Sequence, residues 1–411
     1  MSEPILIATL LRPQGDTGVQ THFNAFLNWA GEKNLSMRLV TPYDSPRWQV
    51  YPMFALRRLV DPLNKLVSVW WYRHWHALFL RLALCNALAD GRPCTVYAQC
   101  PLSAAAALQA RTAGEQKVIM VVHFNVSQAD EWVEKGMIKT EDVMYRAIRN
   151  LEATVFQQVD GLVFVSEFIQ QELAARIPAS AAIPYRIVPN FLRDPGLVSE
   201  RKNFEADLIC IGTLESRKNQ RYALEIIAAA KKLGRTLNLT IVGDGPDRQM
   251  LRSLAIDYGI EQQVTFAGFV KNAASLMPLH RAFLHTARME SFGIVLIEAM
   301  AHGLPVFAPA VGGIPEVFTH EREGRFIPLD DAGQAAEMII QWLDSEQTMQ
   351  VASMAARDRF LACFEAAAVA ARLAFFLKAP HRSEAAVNAP EHAPDYFSST
   401  KPDHHAGSTT A

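Results

Sequence analysis

Short apolar runs alternate along the chain with longer amphipathic patterns. In the first half the runs cover 5–10, 37–42, 95–99, 118–124, 161–166 and 185–190, and in the second half 207–212, 239–243, 264–268, 283–287, 305–309 and 325–329. Between them, segments such as QRYALEIIAAAKKLG place apolar residues three and four positions apart, which is the spacing of a helix with one buried face. Strands that alternate with helices in this way predict parallel βαβ units.

A polar stretch at 190–207 separates the two sets of runs, and it contains Pro195 and Gly196. Proline and glycine interrupt regular structure and favour a linker. We therefore expect an α/β protein with two doubly wound, Rossmann-like domains that face each other across a cleft. In such sheets a ligand binds beyond the carboxyl ends of the strands.

Several polar residues and glycines stand where a predicted strand ends. They are His123, Ser166, Asn190, Gly212 and Gly243. Because the carboxyl ends of parallel strands meet at one edge of a sheet, we expect these residues to lie along the cleft.

Composition narrows the functional classes. The 411 residues are 50% hydrophobic and 20% charged, with a formal net charge of −2, so large cores can form and the overall charge does not favour nucleic-acid binding. Five scattered cysteines without a CxxC pair favour reduced thiols and a cytoplasmic location. We recognise neither a signal peptide nor an apolar stretch of 18 residues. The composition of 379–411 predicts a disordered tail.

The segment ARMESFGIVLIEAMAHGLPVFAP, 287–309, carries two acids eight positions apart, Glu290 and Glu298. Ser291 and Gly293 favour a loop, in which the serine hydroxyl can cap a helix over 294–302. Gly303 then ends that helix. Free N–H groups at a helix start bind anions, whereas acceptor-only carboxylates beside them suit sugar or ribose hydroxyls. The alternative is a solvated helix acid and a surface loop acid.

The segment GTLESRKNQ, 212–220, follows a predicted strand and precedes a helix. Arg217 and Lys218 would stand at the mouth of the cleft, where a cationic pair fits a diphosphate. The alternative is a surface pair at the start of a helix.

Glycines follow three further strands. Gly18 opens a helix after the first strand, with His22 in its first turns, and Gly243 lies in IVGDGPD; both allow close backbone approach or a tight turn. In VGGIPEVF, 311–318, the glycines form a turn and Glu316 lies in the first turn of a helix. The chain has neither a phosphate-binding GxxxxGK[ST] loop nor a GxGxxG after its first strand. Since it also lacks a DxD at a strand end, no metal site is expected.

These segments together resemble the family 4 glycosyltransferases, which are retaining nucleotide-sugar enzymes with the GT-B fold. The resemblance spans most of 1–378. Its strongest signature is Glu-x7-Glu, here Glu290 to Glu298. GTLESRKN, IVGDGP and GGIPEV occur in the same order in that family.

The resemblance implies roles for individual residues. Glu290 would contact donor-sugar hydroxyls, and Glu298 the ribose. Lys218 and Arg217 would bind the diphosphate, and His123 would lie near the transferred sugar. Further donor-site positions would be Gly18, Gly212, Gly243 and the backbone of Phe292, Gly293 and Ile294. One departure is Thr213, where many members have arginine; Arg217 would take over that role, or phosphate binding would be weaker.

The resemblance also implies a division of the chain and a reaction. The expected units are an acceptor-side domain at 1–194, a nucleotide-sugar domain at 195–361 and a helix at 362–378 that crosses back to the first domain. The donor would be a UDP- or GDP-sugar, with no further cofactor. Retention is usually written for this family as same-face attack, in which the leaving phosphate accepts the acceptor's proton.

The acceptor side is predicted from the aromatic and basic segment 45–84, which holds Trp48, Trp70, Trp71 and Trp75. Tryptophan and basic residues on an amphipathic helix suit a membrane interface, and this would fit a lipid-linked saccharide acceptor at the inner face of a membrane. The alternative is an ordinary helix packed on the first sheet. Two other functions stay open: another nucleotide-sugar enzyme such as an epimerase, and a non-catalytic sugar-nucleotide-binding partner in an assembly complex.

Overall fold

A computed structural model describes residues 3–15, 17–124, 127–196 and 204–380. Within these ranges the chain forms two six-stranded parallel sheets. Each of the twelve apolar runs overlaps one strand, so the predicted strands and the two-domain α/β architecture are confirmed. The predicted tail lies outside the described residues, apart from its first two positions.

The N-terminal sheet has the strand order β2-β1-β3-β4-β5-β6. Its strands are β1 (Ile5–Ala8), β2 (Met37–Val40), β3 (Cys94–Ala98), β4 (Gln116–Val122), β5 (Gly161–Phe164) and β6 (Tyr185–Ile187). The helices are α1 (Gly18–Glu32), α2 (Arg47–Val60), α3 (Lys65–Leu88), α4 (Pro101–Ala110), α5 (Gln128–Glu134), α6 (Val143–Gln158) and α7 (Glu167–Arg176). The central strands β3, β4 and β5 are almost wholly buried, as expected when helices cover both faces of a parallel sheet.

The C-terminal sheet has the order β12-β11-β10-β7-β8-β9. Its strands are β7 (Ala206–Ile211), β8 (Leu239–Val242), β9 (Val264–Gly268), β10 (His280–Leu284), β11 (Val306–Ala308) and β12 (Gly324–Phe326). The helices are α8 (Gln220–Lys232), α9 (Arg248–Asp257), α10 (Ile294–Ala301), α11 (Ile314–Val317), α12 (Ala332–Leu343), α13 (Glu346–Cys363) and α14 (Ala366–Lys378).

The last helix, α14, packs on the N-terminal domain. Where the chain returns, the Leu192 N–H donates to the Phe364 carbonyl at 2.9 Å and the Ala366 N–H donates to the Leu192 carbonyl at 2.8 Å. Farther along, the Thr95 hydroxyl donates to the Leu377 carbonyl at 2.8 Å. One buried apolar cluster contains side chains from α1, α10, α13 and α14. This shared core joins the two domains on one side of the cleft.

The 45–84 segment forms two helices, α2 and most of α3, instead of one amphipathic helix. Phe79, Leu80 and Leu84 in α3 are buried, and the last two belong to the N-terminal core. The second half of α3 is therefore an ordinary packed helix, which was the alternative to a membrane-binding one. Trp48 and Leu59 in α2, by contrast, are 75% and 67% exposed. Among the described residues, the helices are too short or too polar to cross a bilayer.

Candidate functional site

The site is built around the start of α10. Gly293 precedes the helix with φ 87°, and a Cβ there would lie 2.9 Å from the Leu296 side chain, so this position requires glycine. The expectation that Ser291 caps the helix is wrong, because its hydroxyl donates to the His123 carbonyl at 2.9 Å. No side chain among the described residues caps the start of α10. Its N–H groups can therefore bind an anion.

Glu290 lies beside this helix start in a cluster of basic groups. Its Oε2 is 2.7 Å from Lys218 Nζ, 3.9 Å from Arg217 Nη1 and 3.6 Å from His285 Nε2. Burial by itself would raise the pKa of Glu290, but Lys218, His285 and Arg217 together hold that pKa well below its usual range. The carboxylate is thus ionised at neutral pH and can accept hydrogen bonds from sugar hydroxyls.

Lys218 and Arg217 are fixed by the strand end next to them. The Thr286 hydroxyl donates to the Lys218 carbonyl at 3.1 Å, and the Arg288 N–H donates to the Arg217 carbonyl at 3.1 Å. Arg217 also pairs with two further acids, Glu215 at 2.9 Å and Glu134 of α5 at 3.7 Å. The predicted diphosphate pair therefore does lie together at the cleft, next to Glu290.

His285 was missed by the sequence analysis, although it follows strand β10 directly. It is buried, and burial is the main cause that lowers its pKa. The residue type and its position after a strand were visible in FLHTA. The contact of His285 with Glu290 was not visible in the sequence, because this contact depends on how the loop after β10 folds back.

Gly212 and Gly243, two of the predicted site residues, lie where the backbones of two neighbouring strand ends come into close contact. Gly243 has φ 138°, and a Cβ there would lie 2.0 Å from the Gly212 carbonyl oxygen. The Gly243 position therefore requires glycine, because the ends of β7 and β8 approach so closely. The predicted contact of Gly212 and Gly243 with the donor stays a prediction.

The N-terminal domain contributes a pair of histidines, of which His22 is buried and His123 is partly buried. The rings of His22 and His123 lie 4.7 Å apart between centroids. His22 Nε2 is 3.2 Å from the Tyr97 hydroxyl, and His123 Nε2 is 3.2 Å from Gln99 Oε1. Burial lowers the pKa of His123 to about 3 and that of His22 well below its usual range. Both rings are therefore neutral near pH 7, and His123 can exchange hydrogen bonds with a sugar but holds no charge.

Two helix starts meet across the cleft. A Cβ on Gly18, the first residue of α1, would lie 3.2 Å from Ile294 Cδ1 at the start of α10. The backbone at Phe292 adjoins the same point, while the Phe292 side chain is buried and packs on Phe364 with ring centroids 5.7 Å apart. The structure thus brings Gly18, Gly293 and Ile294 together, and their role in donor binding stays a prediction.

Glu298 lies one turn farther along α10 and lines a cavity of about 490 Å³ between the domains. The opposite wall includes Thr21, Asn24 and Asn28 of α1, which were not singled out from the sequence. Burial raises the pKa of Glu298 to about 7. Two carboxylates on one loop and helix therefore differ in charge state: Glu290 is held ionised, whereas Glu298 titrates near neutral pH.

Comparison with known proteins decides the family. Residues 17–190 match the family described as Glycosyl transferase 4-like domain, and residues 198–359 match Glycosyl transferases group 1. The chain belongs to the glycosyltransferases of the family 4 type, with the GT-B fold. The predicted family and fold class are confirmed.

Individual relatives of this glycosyltransferase differ in what they transfer. The chain is 28% identical over 256 residues to the GDP-mannose-dependent alpha-(1-6)-phosphatidylinositol monomannoside mannosyltransferase of Mycobacterium tuberculosis, which covers 57% of this chain and 66% of the relative. It is 27% identical over 332 residues to glycogen synthase of the same species, which covers 77% of each chain. The alignment with the first relative thus spans about two thirds of that protein's length.

A solved structure shows the same fold over nearly the whole chain. Anabaena HepE, crystallised with UDP and glucose, superimposes with a TM-score of 0.66 at 15% identity and covers 92% of this chain and all of the HepE chain.

Proposed function

We propose that this glycosyltransferase moves a hexose, with retention of configuration, from a UDP- or GDP-sugar to a saccharide or lipid-linked acceptor. The observation that carries the proposal is the ionised, partly buried Glu290, which lies between Lys218 and the uncapped start of α10. Cations and helix N–H groups suit a diphosphate, and a carboxylate suits sugar hydroxyls. The nucleotide-sugar chemistry of the relatives named above supports this choice.

The leaving group is the part of the reaction that these residues can assist. Cleavage of the sugar–phosphate bond leaves charge on a nucleoside diphosphate, and Lys218, Arg217 and the start of α10 are fixed where that charge would develop. Same-face attack, with the leaving phosphate accepting the acceptor's proton, then needs no nucleophile from the protein. His123, neutral and partly buried beside the cleft, would contact the transferred sugar by hydrogen bonding only.

The nucleotide half of the donor is assigned to the cavity beside Glu298. Its carboxylate would accept hydrogen bonds from the ribose hydroxyls, and these favour the ionised form. The affinity for a nucleotide sugar is therefore expected to rise as pH increases from 6 to 8, through the pKa of about 7. Glu298→Gln should bind about tenfold more weakly at pH 8 and lose this pH dependence.

A ligand-observed NMR screen of UDP- and GDP-sugars against both proteins checks this prediction and names the donor. A nucleotide sugar is a suitable probe because its diphosphate diester does not titrate in this range. If no nucleotide sugar binds the wild type, the proposed function is wrong. If Glu298→Gln binds as tightly as the wild type, only the ribose assignment is wrong.

The same substitution should change stability in the opposite direction. Since the folded-state pKa of Glu298 is raised, its contribution to stability is full below the ordinary glutamate pKa and is lost as pH rises through about 7. Thermal melts should therefore show Glu298→Gln about 1–2 kcal/mol more stable than the wild type at pH 8, with little difference at pH 4.5. Equal stability at pH 8 would contradict the raised pKa.

For the acceptor we propose a lipid-linked saccharide reached at a membrane surface. Exposed apolar side chains form a ridge along α2 and the first turns of α3, here called the apolar ridge. It consists of Trp48, Tyr51, Leu56, Leu59, Leu63, Leu66, Val67 and Trp70, each 39–84% exposed. Arg47, Arg58 and Lys65 are exposed on the same segment, which adds attraction to anionic lipid.

The apolar ridge is joined to the cleft through α5. Val69 of α3 and Ala129 of α5 share one small apolar core, and the rings of Tyr72 and Trp132 lie 5.8 Å apart between centroids. At the end of α5, Glu134 contacts Arg217. An acceptor held at the ridge would therefore lie on the N-terminal side of the donor site.

Replacement of Trp48, Leu59 and Leu63 together by serine is expected to weaken binding to anionic phospholipid vesicles at least about tenfold, because each side chain would lose apolar burial in the membrane interface. Vesicle flotation with wild type and variant measures the effect. Ile256→Ser, which removes an exposed apolar residue of the other domain, is the matched control. Equal flotation of the triple variant and the wild type would refute the membrane contact.

A further inference from the structure

Two serines donate hydrogen bonds across the cleft, each to a backbone carbonyl of the other domain. Ser166, which follows β5 in the N-terminal domain, donates from its hydroxyl to the Ser291 carbonyl at 2.7 Å. Ser291, in the C-terminal domain, donates from its hydroxyl to the His123 carbonyl at 2.9 Å. Both serines are buried. Ser291, which follows Glu290, is thus hydrogen-bonded to His123, which directly follows β4.

A carboxylate of the C-terminal domain caps a helix of the N-terminal domain. Glu316 in α11 accepts the Glu167 N–H at 2.7 Å and the Phe168 N–H at 2.8 Å, one on each oxygen. Both donors belong to the first turn of α7, where the N–H groups lack partners within the helix. Ser166 caps the same turn by accepting the Ile169 N–H at 3.3 Å. The start of α7 therefore receives acceptors from both domains.

The Gly312–Gly313 turn supports the same segment from the other side. The Gly313 N–H donates to the Glu290 carbonyl at 2.9 Å. A Cβ on Gly312 would lie 2.1 Å from the Glu290 carbonyl oxygen, and one on Gly313 would lie 2.2 Å from that of Ser291. The backbone of Glu290 and Ser291 is therefore enclosed between this turn and the N-terminal domain. The GGIPEV segment thus supports the loop that carries Glu290 in addition to forming a turn.

We propose that Ser166, Ser291 and Glu316 form an interdomain latch, which holds Glu290 in register with His123 for sugar transfer. These three are positioning residues, since they act through Glu290 and His123, and this part of the inference rests on the proposed function. A misplacement of about 1 Å between reacting groups can cost about 100-fold in rate. The latch can still open, because water replaces each lost partner and one such bond changes an equilibrium constant by only about tenfold.

The test uses Ser291→Ala and Glu316→Gln, singly and combined, in the full chain. Each single change is expected to lower kcat about tenfold, with the affinity for the nucleotide sugar within about twofold of the wild type, since the changes leave Lys218 and Glu298 in place. Small-angle X-ray scattering should show a larger radius of gyration for the combined variant. Ser253→Ala and Glu337→Gln, on exposed faces of α9 and α12, should match the wild type in all three measurements.

Two results would overturn the latch. One is a combined variant with wild-type kcat and wild-type scattering. The other is a parallel fall of kcat, nucleotide-sugar affinity and melting temperature, which would show general loss of structure instead of positioning. If the wild type binds no nucleotide sugar, the proposed function fails, but the scattering comparison still decides whether these residues hold the domains together.

Discussion

Replacement of Glu290 by glutamine is expected to lower kcat for sugar transfer at least about 100-fold, while the affinity for the nucleoside diphosphate changes only a few-fold. The carboxylate is partly buried and ionised, with one oxygen 2.7 Å from Lys218 Nζ. A glutamine has nearly the same shape but only one acceptor oxygen and no charge. It would therefore hold sugar hydroxyls more weakly and would not balance positive charge on the transferred sugar.

The measurement is steady-state transfer with the donor that the NMR screen names, together with nucleoside diphosphate binding by calorimetry. Loss of one partner from a buried ion pair can cost about 3–5 kcal/mol, so a thermal melt must accompany the kinetics. Glu225→Gln, which breaks the surface pair with Arg221 in the same domain, is the control. If Glu290→Gln transfers sugar within about threefold of the wild type, its proposed contact with the donor sugar is wrong.

Replacement of Lys218 by alanine should weaken binding of the nucleoside diphosphate about 10- to 100-fold. Hydrogen bonds between charged groups contribute about 1.5–3 kcal/mol each, which corresponds to this range. Lys218 is fixed by Thr286 and points its ammonium group at Glu290 beside the start of α10. A diphosphate at that helix start would compete with Glu290 for the same ammonium group.

The free nucleoside distinguishes a phosphate role from a general loss of the site. Calorimetry should show that Lys218→Ala binds the nucleoside as well as the wild type does, so that the gain in affinity from the diphosphate becomes smaller. Lys232→Ala, at an exposed position on α8, should leave both affinities unchanged. If Lys218→Ala binds the diphosphate as tightly as the wild type, the proposed role of Lys218 in donor binding is wrong. Equal weakening of nucleoside and nucleoside diphosphate binding would indicate a structural role.

Local pattern accounted for most of the architecture. All twelve apolar runs overlap strands of the two sheets, because hydrophobic period and flanking turns act within a few residues. The pairing of Glu290 with Lys218 spans 72 residues. The resemblance assigned both residues to the donor but did not predict that they pair, although both lie beyond strands whose carboxyl ends share one edge of a parallel sheet.

The Ser291 hydroxyl illustrates where local reasoning failed. A serine just before a helix is a good capping residue, but here the hydroxyl bonds a carbonyl 168 positions away in the chain. In the segment 45–84, composition did not show which side chains are buried: Phe79, Leu80 and Leu84 of α3 are buried, whereas Trp48 and Leu59 of α2 are exposed.

By itself the sequence determined the fold class, the strand-to-helix turns and the residue types of the proposed donor site, since these depend on short-range periodicity and on chemistry that any fold must place at strand ends. Only the tertiary structure decided that His285 meets Glu290, that Glu316 caps α7 and that two serines bridge the cleft. Each of these contacts consists of one or two hydrogen bonds or an ion pair, and no periodic signal marks such contacts. The contacts of Glu316 and of the two serines join residues more than 100 positions apart and follow from how the two domains meet, whereas the contact of His285 with Glu290 follows from how the loop after β10 folds.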